Sequence, residues 1–175
     1  MRGILKQVQD DVLIRPIRKS IHVSLLLSQE MKIKIITISK GDNEATEELF
    51  SEYLKRLKHY VTIELLRLKP STLKEEATMI QNKTIPGSEL ILLDETGKEF
   101  SSVHFAEFLN GKMNASKNIC FVIGSAYGFH EDLKKKSDQS ISLSKMTMPH
   151  QLAKVVFIEQ LYRAFTILKN EKYHH

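Results

Sequence analysis

At 175 residues, with 42% apolar and 27% charged residues, the chain has the length and composition of one globular domain with a sizeable core. A net charge of +5 permits contact with nucleic acid without demanding it, and a single cysteine, Cys120, excludes an internal disulfide or a cysteine-cluster metal site. The best apolar runs, "ELILLD" and "NICFVIG", are strand-sized and far short of a membrane span.

The first thirty residues differ from the rest. They hold Pro16, no sustained period, and an apolar run "VSLLL" too short and too far from the start for an ordinary signal peptide. They carry five basic residues against three acidic ones, which leaves +3 from Met31 onward. Lacking the dense Lys/Arg clustering of a nucleic-acid arm, they read as an extension, a start-site artefact or a disordered tail, ahead of a folded domain over 31–175.

From Met31 the periods alternate. "KIKIITIS" (32–39) predicts a strand, and 43–60 a helix with Leu49, Phe50, Tyr53, Leu54 and Leu57 on one side. "TIELLRL" is a second strand, and Thr72 with Glu75 three residues on makes a capping box for a second helix. "ELILLD" is a third strand, followed by a helix over roughly 102–110 capped by Ser101 or Ser102. "NICFVIG" is a fourth strand, "HEDLKKKS" a short helix, "SISLS" a fifth strand, and 149–169 a long final helix. Five strand–helix alternations predict an α/β domain, its mainly parallel sheet flanked by helices on both faces and its third and fourth strands central.

In such sheets ligands gather at the carboxyl ends of the strands. Three segments fall there: "LLDETGK", "VIGSAYGF" and "SLSKMTMPHQ". Gly124 and Gly128 allow a sharp turn and a close backbone approach, but the loop is neither GxGxxG nor a phosphate-binding loop, so an ordinary turn is the weightier reading. The mixed stretch before Pro149 suits wrapping an adenosine-like ligand with main-chain groups, Leu143, Met146 and Met148 supplying apolar walls, or else a plain connection with core methionines. His150 reads as a helix-start residue before a catalytic base, and Arg163 as an i,i+4 contact of Glu159. The apolar face of the last helix, from Leu152 to Leu168, fits a core or a subunit interface. No HExxH or cysteine cluster supports a metal, and no GxSxG supports a serine nucleophile.

Taken in order, "MKIKIITIS", "FSEYLKRL", "LLDETGK", "FVIGSAYGF", "SLSKMTMPHQ", "IEQLYRAF" and the closing "YHH" resemble the ribosomal RNA large subunit methyltransferase H family of the SPOUT superfamily, over about the whole of 31–175. The resemblance implies an S-adenosylmethionine (SAM)-dependent enzyme that methylates N3 of a pseudouridine in large-subunit (23S) rRNA of the assembled ribosome. It also implies a C-terminal trefoil knot, a homodimer, a cytoplasmic location, and no metal or membrane. Carried over residue by residue, the donor contacts are Leu93, Gly124, Leu143, Ser144, Lys145, Met146, Thr147 and Met148, and the candidate catalytic group is His174, Tyr173 and Arg163. Two departures stand out: Ser125 follows Gly124 where relatives carry a second glycine, and the first strand ends "ISKG" where relatives place glycine before lysine. His175 stands where relatives place another basic or polar residue. The competing expectations are a SPOUT methyltransferase for another RNA and a non-catalytic ribosome-binding module.

Overall fold

Ten elements follow Met31 in strict alternation. The strands are β1 (Lys32–Ile38), β2 (Thr62–Leu68), β3 (Glu89–Glu99), β4 (Ile119–Ile123) and β5 (Gln139–Ser142). The helices are α1 (Glu44–Leu57), α2 (Leu73–Lys83), α3 (Ser102–Asn114), α4 (Glu131–Lys136) and α5 (His150–Leu168). This computed structural model describes residues 31–41 and 43–174; the expected extension over 1–30, and His175, lie outside the described residues.

Local chemistry sets the helix starts. Asn43 caps α1 by accepting from the Thr46 amide at 2.9 Å. The Thr72–Glu75 capping box forms in both directions at α2. Ser101, not Ser102, caps α3 through the His104 amide, and Ser102 instead donates to Gln160 of α5 at 2.7 Å. Pro149 sits at the cap of α5 rather than inside its first turn, with ψ 136° still extended.

All neighbouring strands pair in parallel in the order β2-β1-β4-β3-β5, which puts β4 at the centre and β3 inside the edge. Every residue of β4 is buried, whereas edge strand β2 is at most half-buried. Alternate residues feed two apolar layers. Ile33, Ile35, Ile91, Ile119 and Phe121 face a layer shared with α1, α3 and α5; Ile36, Ile38, Leu90, Leu92 and Val122 face α2 and α4. Phe121 joins sheet to helices, with ring centroids 4.9 Å from Phe157 of α5 and 6.4 Å from Phe105 of α3. The apolar face of α5 is mostly core: Phe157, Ile158, Leu161 and Phe165 are buried, while Leu152 points outward.

One strand differs from its expected extent. β3 runs on past Asp94 through "ETGKE", because the chain bulges after Leu93 and pairs with β5 a second time. Both Leu93 and Lys98 oppose Ile141, and Glu99 opposes Ser142. Gly97 makes this possible, since a Cβ there would stand 2.5 Å from the Ser140 carbonyl carbon and 2.6 Å from the Ile141 nitrogen.

Candidate active site

Register brings the three expected ligand segments to one edge. Leu93 lies level with Ile123 of β4 and Ile141 of β5, so Gly124 and Leu143 follow immediately beyond the ends of the two strands that flank β3. Leu93 and Leu143 are half-buried and rest on the core layer below.

Two loops close over this edge by local bonds. The Ser142 hydroxyl donates to the Ser144 carbonyl at 2.9 Å, and the Met146 amide donates to the Ser144 hydroxyl at 2.9 Å. Lys145 reaches Glu99 at 3.8 Å and the Thr147 hydroxyl reaches Glu95 at 3.4 Å, tying the loop to the second half of β3. Beneath them Asp94 accepts from the Thr96 amide and hydroxyl at 2.9 and 2.6 Å and pairs with Lys134 at 2.9 Å. Burial alone would raise the Asp94 carboxyl, but the bonds from Thr96 and Lys134 outweigh it and hold the group below the usual carboxylate range. Of the three expected apolar walls, Leu143 and Met148 are half-buried and Met146 is 79% exposed.

Gly124 is crowded by the protein itself. A Cβ there would meet the Phe129 ring at 2.9 Å and the Gly128 carbonyl at 3.1 Å, so the space is filled by protein. The turn that follows closes with the Gly128 amide on the Ser125 carbonyl at 3.2 Å, Gly128 taking φ +78°. Ser125 departs from the glycine of relatives without crowding this edge, since its hydroxyl is bonded to Glu76 of α2 at 3.2 Å.

The expected catalytic residues form a second group, on α5 and the segment after it. α5 ends at Leu168, and Asn170 just beyond it turns the chain with a φ of +54°, while the Lys169 and Glu171 amides donate to the Phe165 and Thr166 carbonyls at 3.1 and 2.9 Å. This returns Tyr173 to the helix. Its ring stands edge-on to Tyr162 at 4.8 Å, and its hydroxyl lies 3.2 Å from that of Tyr53 and donates to Glu159 at 3.1 Å. Arg163 stacks over the Tyr173 ring at 4.8 Å and donates twice to the same Glu159 oxygen, at 3.0 and 2.5 Å.

These contacts fix protonation. The hydrogen bond to Glu159 raises the Arg163 guanidinium further, despite some burial. Burial first, then the bonds to Tyr53 and Glu159, push the Tyr173 phenol well above its ordinary range, so it is a neutral donor and not a base. His174 is half-buried, with Nδ1 shielded and without a hydrogen-bond partner among the described residues. Glu159, read in the sequence as a surface contact, is the hub of this group; its i,i+4 spacing from Arg163 was the available signal.

The two groups do not meet within one chain. Arg163 follows the start of α5 at His150 by thirteen residues, about 20 Å along the axis. His150 is the first residue of α5, away from Tyr173 and Arg163.

Residues 31–174 match the family described as "Predicted SPOUT methyltransferase". The curated protein "Ribosomal RNA large subunit methyltransferase H" of Flavobacterium psychrophilum is 48% identical over 83% of this chain and 99% of its own length. The chain belongs to the ribosomal RNA large subunit methyltransferase H family. Proteins of the same name from Flavobacterium johnsoniae and Parabacteroides distasonis are 47% and 44% identical, each covering 83% of this chain and 99% of its own length. A solved Legionella pneumophila structure, described as a methyltransferase with SAM bound, overlaps 77% of this chain and 66% of that one at a TM-score of 0.41 and 10% identity, too loose a likeness to carry an argument. Among the described residues of this SPOUT chain no helix is long and apolar enough to cross a membrane, and no cluster of three or more metal-ligating side chains occurs.

Proposed function

We propose that the protein is a SAM-dependent methyltransferase acting on N3 of a pseudouridine in 23S rRNA of the assembled ribosome, and that it works as a homodimer. The observation that carries the reading is the division of the site. Loops suited to an adenosine-like donor sit at one end of α5, and an Arg–Tyr–His group suited to RNA sits at the other. Two antiparallel copies would set the donor edge of one against the RNA group of its partner. Apolar side chains left outward at the donor edge favour such a contact: Met146, Leu152 and Tyr127, the last 86% exposed.

The residues present fit the donor. Leu93, Leu143 and Met148 offer apolar walls, and Gly124 at its strand end and the loop Ser144 to Thr147 offer main-chain groups. SAM supplies a methyl group on a sulfonium, which is a strong donor without further activation. The protein must then align the acceptor nitrogen, exclude water and take the imide proton of N3. His174 is the proposed base or base-orienter. Tyr173 donates a hydrogen bond from its neutral phenol, and Arg163 holds a phosphate or stabilises charge on the acceptor base. Glu159 fixes both in place.

A basic rim beside this group supports contact with rRNA. Lys55, Lys58 and His59 at the end of α1 and Lys169 and Lys172 after α5 are exposed, and the bond from Tyr60 to Glu171 at 2.6 Å holds the two segments together. The folded domain is proposed to span 31–175 with 1–30 as an extension. The trefoil knot is proposed for its C-terminal part from membership of the SPOUT family. A cytoplasmic location is proposed from the rRNA target and suits the lone, buried Cys120, whose thiol burial pushes up to about 11.

The test is transfer of labelled methyl from SAM to intact ribosomes lacking the modification, followed by mapping of the nucleoside. Label in N3-methylpseudouridine supports the reading. Label in another nucleotide points to a different RNA target, and failure to bind SAM points to a ribosome-binding module. Protein-free rRNA should be a poor substrate, since so small a domain has little surface for reading sequence.

A further inference from the structure

Glu76 is a carboxylate with no part in the chemistry above, yet it is only 3% exposed. It lies in the first turns of α2, on the sheet face opposite α5. An acid so placed needs donors for its oxygens. One oxygen accepts from the Ser71 amide at 3.0 Å, just before α2; the other accepts from the Ser125 hydroxyl at 3.2 Å, forty-nine residues away in sequence.

The second bond reaches the donor edge. Ser125 begins the turn that ends at Gly128, and the residue before it is held closely, since a Cβ on Gly124 would meet the Phe129 ring and the Gly128 carbonyl. A displacement of Ser125 therefore moves the Gly124 backbone at the end of β4, beside Leu93 and the start of the 143–148 loop. A serine, unlike a glycine, offers α2 a hydroxyl to hold.

We propose that Glu76 is a positioning residue for the methyl-donor pocket, clamping the 124–128 turn through the Ser125 hydroxyl while anchored by the Ser71 amide. This rests on the donor-site reading above. The clamp acts on donor affinity and leaves the acceptor group on α5 untouched. Glu76→Gln keeps an acceptor for Ser71 and offers its amide to Ser125, so it should substitute; Glu76→Ala loses both bonds, and Ser125→Ala loses only the one to the turn.

The experiment is calorimetric titration of SAM into the full chain, paired with hydrogen exchange of the Gly128 amide in the absence of SAM. Glu76→Ala and Ser125→Ala are each expected to weaken SAM by about tenfold, the size of one charge-assisted hydrogen bond. The double variant should be no weaker than Glu76→Ala, and kcat at saturating SAM should hold. Both variants should speed exchange at Gly128, and Glu76→Gln should stay within about twofold of wild type. Wild-type affinity and exchange in Ser125→Ala would overturn the clamp, whether or not Glu76→Ala folds. Additive losses in the double variant would also overturn it, showing Glu76 to act through α2 stability alone. A wild-type chain that binds no SAM would overturn the donor-site reading and the affinity claim with it, a result distinct from intact binding in Ser125→Ala.

Discussion

The two ends of α5 are built by different means. At the donor edge, position is set largely by main chain: strand register, the crowded Gly124 and Gly97, and serine hydroxyls bonded to nearby backbone. At the other end it is set by side chains, with Arg163 and Tyr173 bonded to Glu159, and Tyr53 and Tyr162 set against Tyr173. A pocket made of backbone tolerates many sequences, so long as nothing intrudes. A side-chain cluster names its residues and fails when one is lost.

The largest expected effect separates the ends by function. His174→Ala should lower kcat by about 10²–10⁴-fold if His174 takes the proton, with SAM affinity unchanged. Single-turnover methylation and SAM titration read this, and unaltered methylation would remove His174 from the chemistry.

The donor edge should break by intrusion rather than deletion. Gly97→Ala places a methyl against the β5 backbone and should cost about 3 kcal/mol, or prevent β5 from seating. Thermal unfolding should show a lower Tm together with weaker SAM binding; an unchanged Tm would mean that the seam between β3 and β5 yields easily.

A pH scan sharpens the comparison. The Asp94 carboxyl is held below its unfolded value, so its contribution is present above the unfolded pKa and lost as pH falls through the folded one. Lys134, raised first by its bond to Asp94, behaves in the opposite sense: its contribution is present below its unfolded pKa and lost as pH rises through the folded one. The pair is thus intact across neutral pH. Asp94→Asn should lower Tm at pH 7 and narrow its difference from wild type below about pH 4. A difference constant over that range would deny Asp94 this role.

The smallest effect tests the loop itself. Lys145 is exposed and its ion pair with Glu99 is long, so Lys145→Ala should change stability by no more than about 0.5 kcal/mol. A larger loss of Tm in denaturation would show that the loop depends on side chains after all.

Much of the fold was legible because it rests on local signals. The Thr72–Glu75 box, the alternation of β1 and the buried run of β4 each state their structure within a few residues. The second half of β3 was not legible: "ETGKE" has no apolar alternation, and its pairing partner lies some forty residues downstream. The site divided in the same way. The resemblance supplied Leu93, Gly124, the 143–148 loop, Arg163, Tyr173 and His174, and Glu159 was noticed only as a helix pair. That Glu159 gathers Arg163 and Tyr173 depends on the turn at Asn170 folding the end of the chain back onto α5.

By itself, then, the sequence determined the order of elements, the Thr72–Glu75 capping box, the two-faced sheet and the family, because periodicity and ordered motifs are written in neighbouring residues. Only the tertiary structure decided that Gly124 and Gly97 are crowded by neighbouring protein, that Ser125 bonds to a buried Glu76, and that the loops proposed to hold the donor and the Arg–Tyr–His group stand at opposite ends of one helix. Those facts arise from close packing between segments distant in the chain, which no local pattern encodes.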